Sequence, residues 1–205
     1  MTDRTELVAT ILMSVAAVAT AWSGYQATRW NGEQAKASSQ TNGIRIDAAR
    51  AQGLAEAQKE VDVATFIQWI DAYAQNQTEL TEFYETRFRA EFKPAFAAWL
   101  ATKPLENPDA PATPFVMPQY RLAAEVEAER LDKAGEASAA KVRQDIQRAS
   151  NYILGVVLFS VSLFFAGMST KLASLRLRRL MIGVGCLLFL CTVGWLATQP
   201  VSIAV

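Results

Sequence analysis

Histidine is missing from this 205-residue chain, and cysteine occurs only twice. The lack of histidine removes the commonest general base and a frequent ligand of zinc, copper and haem. Cys186 and Cys191 are five residues apart in one apolar stretch, so on a helix they point in different directions and do not form a disulfide. Twenty basic residues balance twenty acidic ones, which leaves no electrostatic basis for binding nucleic acid.

Charge is also absent from three long stretches, which are residues 7–28, 149–170 and 180–205. A helix needs about 20 apolar residues to cross a hydrocarbon core about 30 Å thick. Each stretch is long enough. A charged residue precedes each one, and another follows each of the first two. The sequence therefore predicts an all-α membrane protein with three transmembrane helices, at residues 7–28, 149–170 and 180–199.

The connection between the second and third spans, residues 171–179, indicates the orientation. It carries Lys171, Arg176, Arg178 and Arg179 and no acidic residue. Because positive charge in short loops resists translocation, we expect this loop in the cytoplasm. Residues 1–6 then lie in the cytoplasm, and residues 29–148 and 200–205 lie outside it. The four cations are also candidate contacts for lipid headgroups.

The first span has two interpretations. Ala19-Thr20-Ala21 fits the site that signal peptidase cleaves. However, the apolar stretch continues beyond this site, and Trp22, Tyr25 and Trp30 occupy the positions of an interfacial aromatic belt. We favour an uncleaved signal anchor.

The polar region at 29–148 consists mostly of helix-forming residues. Five of the seven prolines fall between Pro104 and Pro118, so residues 103–118 form the predicted loop. Pro94 should kink a helix or start a new one, and residues 41–43 are the likeliest break in the helical region before it. We predict an extracytoplasmic antiparallel helical bundle, whose second arm continues from about Tyr120 into the second span.

Two apolar patterns indicate helix faces that pack. One alternates steps of three and four from Val63 through Phe66, Ile70 and Tyr73 to Tyr84. The other crosses the border of the second span, at Val142, Ile146, Ala149 and Ile153.

A stripe of small residues marks the first span. Ala16, Thr20, Gly24 and Thr28 are four residues apart, a spacing that lets helices approach closely. The stripe fits packing within one chain, and it also fits an interface between protomers.

Aromatic residues of the polar region form the core of the bundle, an oligomer interface or a groove that accepts a partner. The loop adds apolar side chains that either cap the bundle or contact a partner. The candidate partner or groove contacts are Trp69, Tyr73, Phe88, Phe92, Trp99, Phe115 and Met117.

Three segments resemble a group of uncharacterised bacterial inner-membrane proteins. They are Ala21-Trp-Ser-Gly-Tyr-Gln-Ala27, Trp30-Asn-Gly-Glu-Gln-Ala35 and Phe115-Val-Met-Pro-Gln-Tyr120. The resemblance covers the whole chain and implies a multi-pass protein of the bacterial inner membrane. It implies no activity and no functional residue.

No catalytic motif emerges from the sequence. The carboxylates of the polar region alternate with arginine and lysine, as on a solvated helical face. The spans contain no Asp, Glu, Lys, Arg or His, which argues against a transporter or pump. We therefore expect no enzyme activity, no cofactor and no metal site.

The expected function is a membrane assembly or interaction protein that acts through its extracytoplasmic domain. Expected partners are membrane lipids, further copies of the chain in a homo-oligomer, and another membrane or extracytoplasmic protein. Two alternatives remain. One is a sensory input subunit with a separate signalling partner, and the other is an oligomeric pore.

Overall fold

The computed structural model describes residues 4–104 and 106–203, and the regular secondary structure of these residues is helical. Its α-helices are α1 (Arg4–Ala74), α2 (Thr78–Arg87), α3 (Lys93–Ala101), α4 (Ala123–Ser169) and α5 (Leu175–Leu196), with a short 3-10 helix at Pro114–Val116. The described residues contain no strand. The all-α prediction is confirmed.

Three of these helices, α1, α4 and α5, are long and apolar enough to cross a membrane. The first charge-free stretch lies wholly within α1, while α4 contains residues 149–169 of the second and α5 contains residues 180–196 of the third. This confirms the prediction of three helices that are able to span.

The chain divides into two compact units. The span unit comprises the described residues up to Gln40 and from Ala137 onward, and the polar unit comprises Thr41–Glu136. Each unit has its own packed residues. Ala27 and Trp30 pack against Ala149 and Tyr152 in the span unit, whereas an aromatic cluster forms the core of the polar unit.

The expected break at residues 41–43 is wrong, because α1 continues through this segment to Ala74. A glycine within a helix costs about 1 kcal/mol, but tertiary packing outweighs that cost. Ile44 and Arg45, next to Gly43, lie against Gly135 of α4. A Cβ atom added to Gly135 would be 3.6 Å from Ile44 Cγ2 and 3.7 Å from Arg45 Cγ. The helix ends later, before Asn76, whose φ of 58° is a left-handed conformation that asparagine tolerates.

Pro94 lies in the first turn of α3 and thus starts a new helix, as the sequence allowed. A proline is tolerated there because the first N–H groups of a helix have no intrahelical partner. Aromatic residues at helical spacing of three or four also occur at Tyr84, Phe88, Phe92, Phe96 and Trp99. The turn between α2 and α3 interrupts this series, so its rings do not form one continuous helical stripe.

The proline-rich segment is a loop, as predicted. Its described residues form turns, bends and the 3-10 helix. Leu105 lies outside the described residues. The helix that follows, α4, is continuous from Ala123 to Ser169, so one helix includes both residues of the polar region and most of the second charge-free stretch.

Candidate functional site

An aromatic cluster fills the centre of the polar unit. Phe66 and Trp69 come from α1, Phe88 and Phe92 from the α2–α3 turn, and Phe96 and Trp99 from α3, and all six are buried. Phe66 meets the Trp99 ring edge to face at 5.3 Å. Such pairs contribute about 0.5–1.5 kcal/mol beyond the burial of their area.

Phe92 is the centre of this cluster and is fully buried. Its ring lies 4.9 Å from the ring of Phe88 and stacks on Phe115 at 5.2 Å. Phe115 and Met117 of the proline-rich loop are half-buried against the cluster. The loop therefore folds back onto the core of the polar unit.

Most of the predicted groove residues thus lie in the core. Trp69, Phe88, Phe92 and Trp99 are each less than 5% exposed. Tyr73 differs, because 48% of it is exposed.

A cleft opens beside Tyr73 with a volume of about 460 Å³. Its walls include Trp69, Tyr73, Trp99, Pro104, Pro108 and Pro111. The indole N–H of Trp69 donates to Glu85 Oε1 at 2.9 Å, and that of Trp99 donates to the Pro111 carbonyl at 2.7 Å. Since both donors are used internally, the cleft offers ring surfaces to a ligand.

A buried carboxylate, Asp62, lies next to the aromatic cluster. Its side chain is 1% exposed, and its Oδ2 accepts hydrogen bonds from Arg89 at 2.8 Å and from the Tyr120 hydroxyl at 3.1 Å. Burial raises the pKa of the Asp62 carboxyl, while Tyr120 and Arg89 oppose that shift. Burial and the neighbouring Asp62 also raise the pKa of Tyr120.

Glu91 extends this network to the start of α4. It pairs with Arg89, and its Oε1 accepts a hydrogen bond from the backbone N–H of Ala123 at 2.9 Å. A carboxylate at this position stabilises a helix N-terminus, because the first N–H groups have no intrahelical acceptor. The network therefore connects α1, the α2–α3 turn and α4, which gives its side chains a structural role.

The small-residue stripe of the first span turns away from the packed face of α1. Ala16 is fully buried, Thr20 is half-buried and Thr28 is exposed. A Cβ added at Gly24 would meet nothing within 4 Å. Four residues rotate about 40° beyond a full turn of the helix, so a stripe with steps of four only moves gradually around it. Alternating steps of three and four stay on one face, and the stripe therefore leaves that face. That packed face includes Ala9, Leu12, Ala16, Ser23, Gln26, Ala27 and Trp30.

The basic residues between the second and third spans lie around the start of α5. Lys171 is in the connection, whereas Arg176, Arg178 and Arg179 belong to the first turns of the helix. Lys171, Arg176 and Arg179 are exposed. Arg178 is largely covered and lies 3.9 Å from Glu6.

Gln26, Asp62 and Asp145 are among the buried polar residues, and the sequence reasoning did not single them out. A periodic signal was available for each of them. Asp62 is seven residues before Trp69, and Asp145 is seven before Tyr152, so each acid shares a helix face with a buried aromatic ring. Gln26 is four residues before the buried Trp30 and also shares its face, but the partner of Gln26, Ser202, is distant in sequence.

No family model matches this chain, and neither a curated protein nor a solved structure matches it.

Proposed function

We propose that this chain is a non-enzymatic protein of the bacterial inner membrane that assembles with further copies of itself. The first, second and third spans cross the bilayer. The polar unit lies outside the cytoplasm as an antiparallel helical bundle and provides contacts for assembly or for a partner protein.

The proposed orientation rests on the basic residues between the second and third spans. Lys171, Arg176 and Arg179 are exposed and remain available to anionic lipid headgroups of the cytoplasmic leaflet. The positive-inside tendency of such short segments supports a cytoplasmic N-terminus and an extracytoplasmic C-terminus.

The observation that carries the assembly proposal is an unpartnered face of α1 in the span unit. Gly24 and Gly32 have open space where a side chain would begin, and Thr28, Ala35 and Ser39 are exposed. The Thr28 hydroxyl donates to the Gly24 carbonyl at 3.1 Å, so it does not require a donor or acceptor from lipid. A face of such small residues allows a second helix to approach closely.

The polar unit also has apolar residues without cover. On α1, Ile46, Leu54 and Val61 are each about half exposed, at 53%, 54% and 51%. Leu54 and Val61 are seven residues apart and share a helix face. A second copy of α1 is a suitable partner for this face, because it would present the same apolar surface. Contact between two copies would remove these side chains from water.

Gly24→Leu tests the assembly. We expect it to weaken self-association about tenfold, since a bulky side chain separates the backbones and removes a contact worth about 1–2 kcal/mol. The measurement is the mass distribution of the detergent-purified full chain at several protein concentrations.

Gly183→Leu is the matched control, because Gly183 of α5 also has open space around it and is exposed. We expect this variant to associate as the wild type does. Equal association of both variants and the wild type would assign the small-residue stripe to another role and contradict the proposed interface.

The cleft beside Tyr73 favours one alternative, a sensory input subunit. Its volume of about 460 Å³ lies within the range of small-molecule pockets, and its walls are aromatic. A sensor of this kind would require a separate signalling partner at the cytoplasmic side.

A further inference from the structure

A polar cleft of about 430 Å³ lies in the span unit, at the level where the charge-free stretches end. Its walls include Arg29, Trp30, Glu33, Lys141, Asp145 and Arg148. Arg29 is the first charged residue after the first span, and Arg148 is the last before the second. The cleft therefore lies at the membrane boundary, where phospholipid headgroups are found.

The charges of this cleft are only partly paired with one another. Arg148 lies 3.1 Å from Asp145 Oδ1 and covers the Trp30 ring at 4.5 Å. Glu33 pairs with Lys36 at 3.1 Å. Among the described residues, Arg29 and Lys141 have no ion-pair partner. Two cations thus remain available to an anionic group.

Three buried polar atoms of the cleft have no hydrogen-bond partner in the described part of the chain. They are Arg29 Nε, the indole Nε1 of Trp30 and Asp145 Oδ2. The Asp145 side chain is 1% exposed and Trp30 is 8% exposed. Buried polar groups are nearly always hydrogen-bonded, since leaving one unpaired is costly. The free donors require an acceptor, and the free carboxylate oxygen requires a donor.

An apolar cleft of about 290 Å³ lies between the spans in the same unit. Its walls include Ala19, Trp22, Ser23, Phe159, Val193 and Leu196. Val201 lines both this cleft and the polar one. A polar and an apolar compartment therefore share a wall at the membrane boundary.

The segment that carries Val201 is fixed by side chains of the first two spans. Gln26 is fully buried, its Oε1 accepts from the Ser202 N–H at 2.9 Å, and its Nε2 donates to the Ser202 carbonyl at 3.4 Å. The Tyr152 hydroxyl donates to the Pro200 carbonyl at 3.2 Å. These bonds hold the shared wall in place.

We propose that the two clefts bind one phospholipid with a zwitterionic phosphoethanolamine headgroup. The phosphate accepts hydrogen bonds from Arg29, Lys141 and the Trp30 indole. The ammonium donates to the free Asp145 oxygen, and an acyl chain enters the apolar cleft.

The chemistry of the clefts favours this class of lipid. Free phosphate would leave the apolar cleft unfilled and would provide no donor for Asp145. An anionic lipid without an ammonium would satisfy the cations and place its negative charge near the unpaired Asp145 oxygen. Only a headgroup with both signs satisfies the free donors and the free acceptor together.

The test uses the delipidated full chain in detergent and native mass spectrometry. The probes are phosphatidylethanolamine, phosphatidylglycerol, diacylglycerol and inorganic phosphate. We expect phosphatidylethanolamine to bind about tenfold more tightly than phosphatidylglycerol, because a hydrogen bond to a charged group is worth at least that factor. Diacylglycerol and phosphate should each bind more weakly than either phospholipid.

Variants of the polar cleft assign the headgroup contacts. Arg29→Gln and Lys141→Gln should each weaken both phospholipids about tenfold, since each loses a charged contact to phosphate. Arg143→Gln is the matched control, because Arg143 is exposed on the same helix and lies outside the cleft. Asp145→Asn should reduce the preference for phosphatidylethanolamine to about one. The preference is the ratio of the affinities for the two phospholipids, both measured on the same variant. A general loss of folding would weaken both affinities and leave their ratio unchanged.

Ala19→Phe tests the apolar cleft, since the larger side chain occupies its space. It should weaken a long-chain phosphatidylethanolamine and leave a short-chain one unchanged.

Three results would overturn the proposal. One is equal lipid binding by Arg29→Gln, Lys141→Gln and Arg143→Gln. Another is competition by inorganic phosphate at the concentration at which lipid binds, which would indicate a simple anion site. The third is an unchanged lipid preference in Asp145→Asn.

Discussion

Arg89→Met is expected to lower the free energy of unfolding of the polar unit by about 3–5 kcal/mol, because it leaves the buried Asp62 carboxylate without its cation. Asp62 is 1% exposed, and Tyr120 alone would continue to donate to it. The measurement is hydrogen exchange of peptides from α2 and α3 in the full chain in detergent, which reports the free energy of opening of this unit.

The double variant Asp62→Asn/Arg89→Met is the control. Asparagine retains an acceptor for the Tyr120 hydroxyl and removes the buried charge, so we expect the double variant to be more stable than Arg89→Met alone. A double variant as unstable as the sum of its single variants would show that Asp62 and Arg89 do not act as a pair.

The effect of pH follows from the raised pKa of Asp62. A carboxyl whose pKa is higher in the folded state binds its proton more tightly there. Its contribution to stability is therefore fully present below its ordinary pKa of 3.8 and is lost as the pH rises through the folded-state pKa. Arg89→Met removes a cation that holds this pKa down. The free energy of unfolding of Arg89→Met should thus fall furthest below that of the wild type near neutral pH, and the difference should shrink as the pH falls.

The sequence was sufficient to predict helix type, the number of possible spans and the loop, because these depend on local composition. Charge-free length, helix-forming residues and the density of prolines all act within a few turns of chain. The predicted break at residues 41–43 failed for the opposite reason. Packing of Ile44 and Arg45 against Gly135 involves a residue far away in sequence.

The second apolar pattern lies within one helix, α4, but the first does not, because α1 ends at Ala74 and a turn at Asn76 separates it from α2. Within α1 and α4, both patterns misplaced the buried face by about one residue. In α1 the buried residues are Asp62, Phe66 and Trp69, whereas Ile70 is 41% exposed. In α4 the buried residues are Asp145, Ala149 and Tyr152. The predicted buried face is displaced for the same reason in both helices. An aspartate occupies the buried position, whereas an apolar pattern selects the apolar residue next to it.

The second shift is visible in the exposed isoleucines of α4. Ile146 and Ile153 are 43% and 50% exposed, although both belong to the predicted packing pattern.

A buried acid is costly without a partner. The partner of Asp62 is Arg89, 27 residues away, so the sequence pattern alone did not reveal the pair.

Phe92→Ala is expected to lower the stability of the polar unit by about 3–5 kcal/mol, the usual cost of removing a buried phenylalanine ring from a core that does not collapse. Phe92 is fully buried, and its ring contacts join α1, the α2–α3 turn and the loop through Phe66, Phe88 and Phe115. Loss of the ring should therefore also release the loop. Hydrogen exchange should increase in α3 and in residues 113–120 together.

Phe83→Ala is the matched control for Phe92→Ala. Phe83 lies on α2 and is 45% exposed, and its ring lies under the Arg87 guanidinium at 3.6 Å. An exposed contact of this kind is worth about 0.5–1 kcal/mol, so we expect a loss of no more than about 1 kcal/mol and unchanged exchange in the loop. If Phe92→Ala increased exchange in α3 and left residues 113–120 protected, the loop would be held by Phe115 and Tyr120 independently of Phe92. The two aromatic rings of the loop lie 5.2 Å apart, so Phe115→Ser in the Phe92→Ala background would then release it.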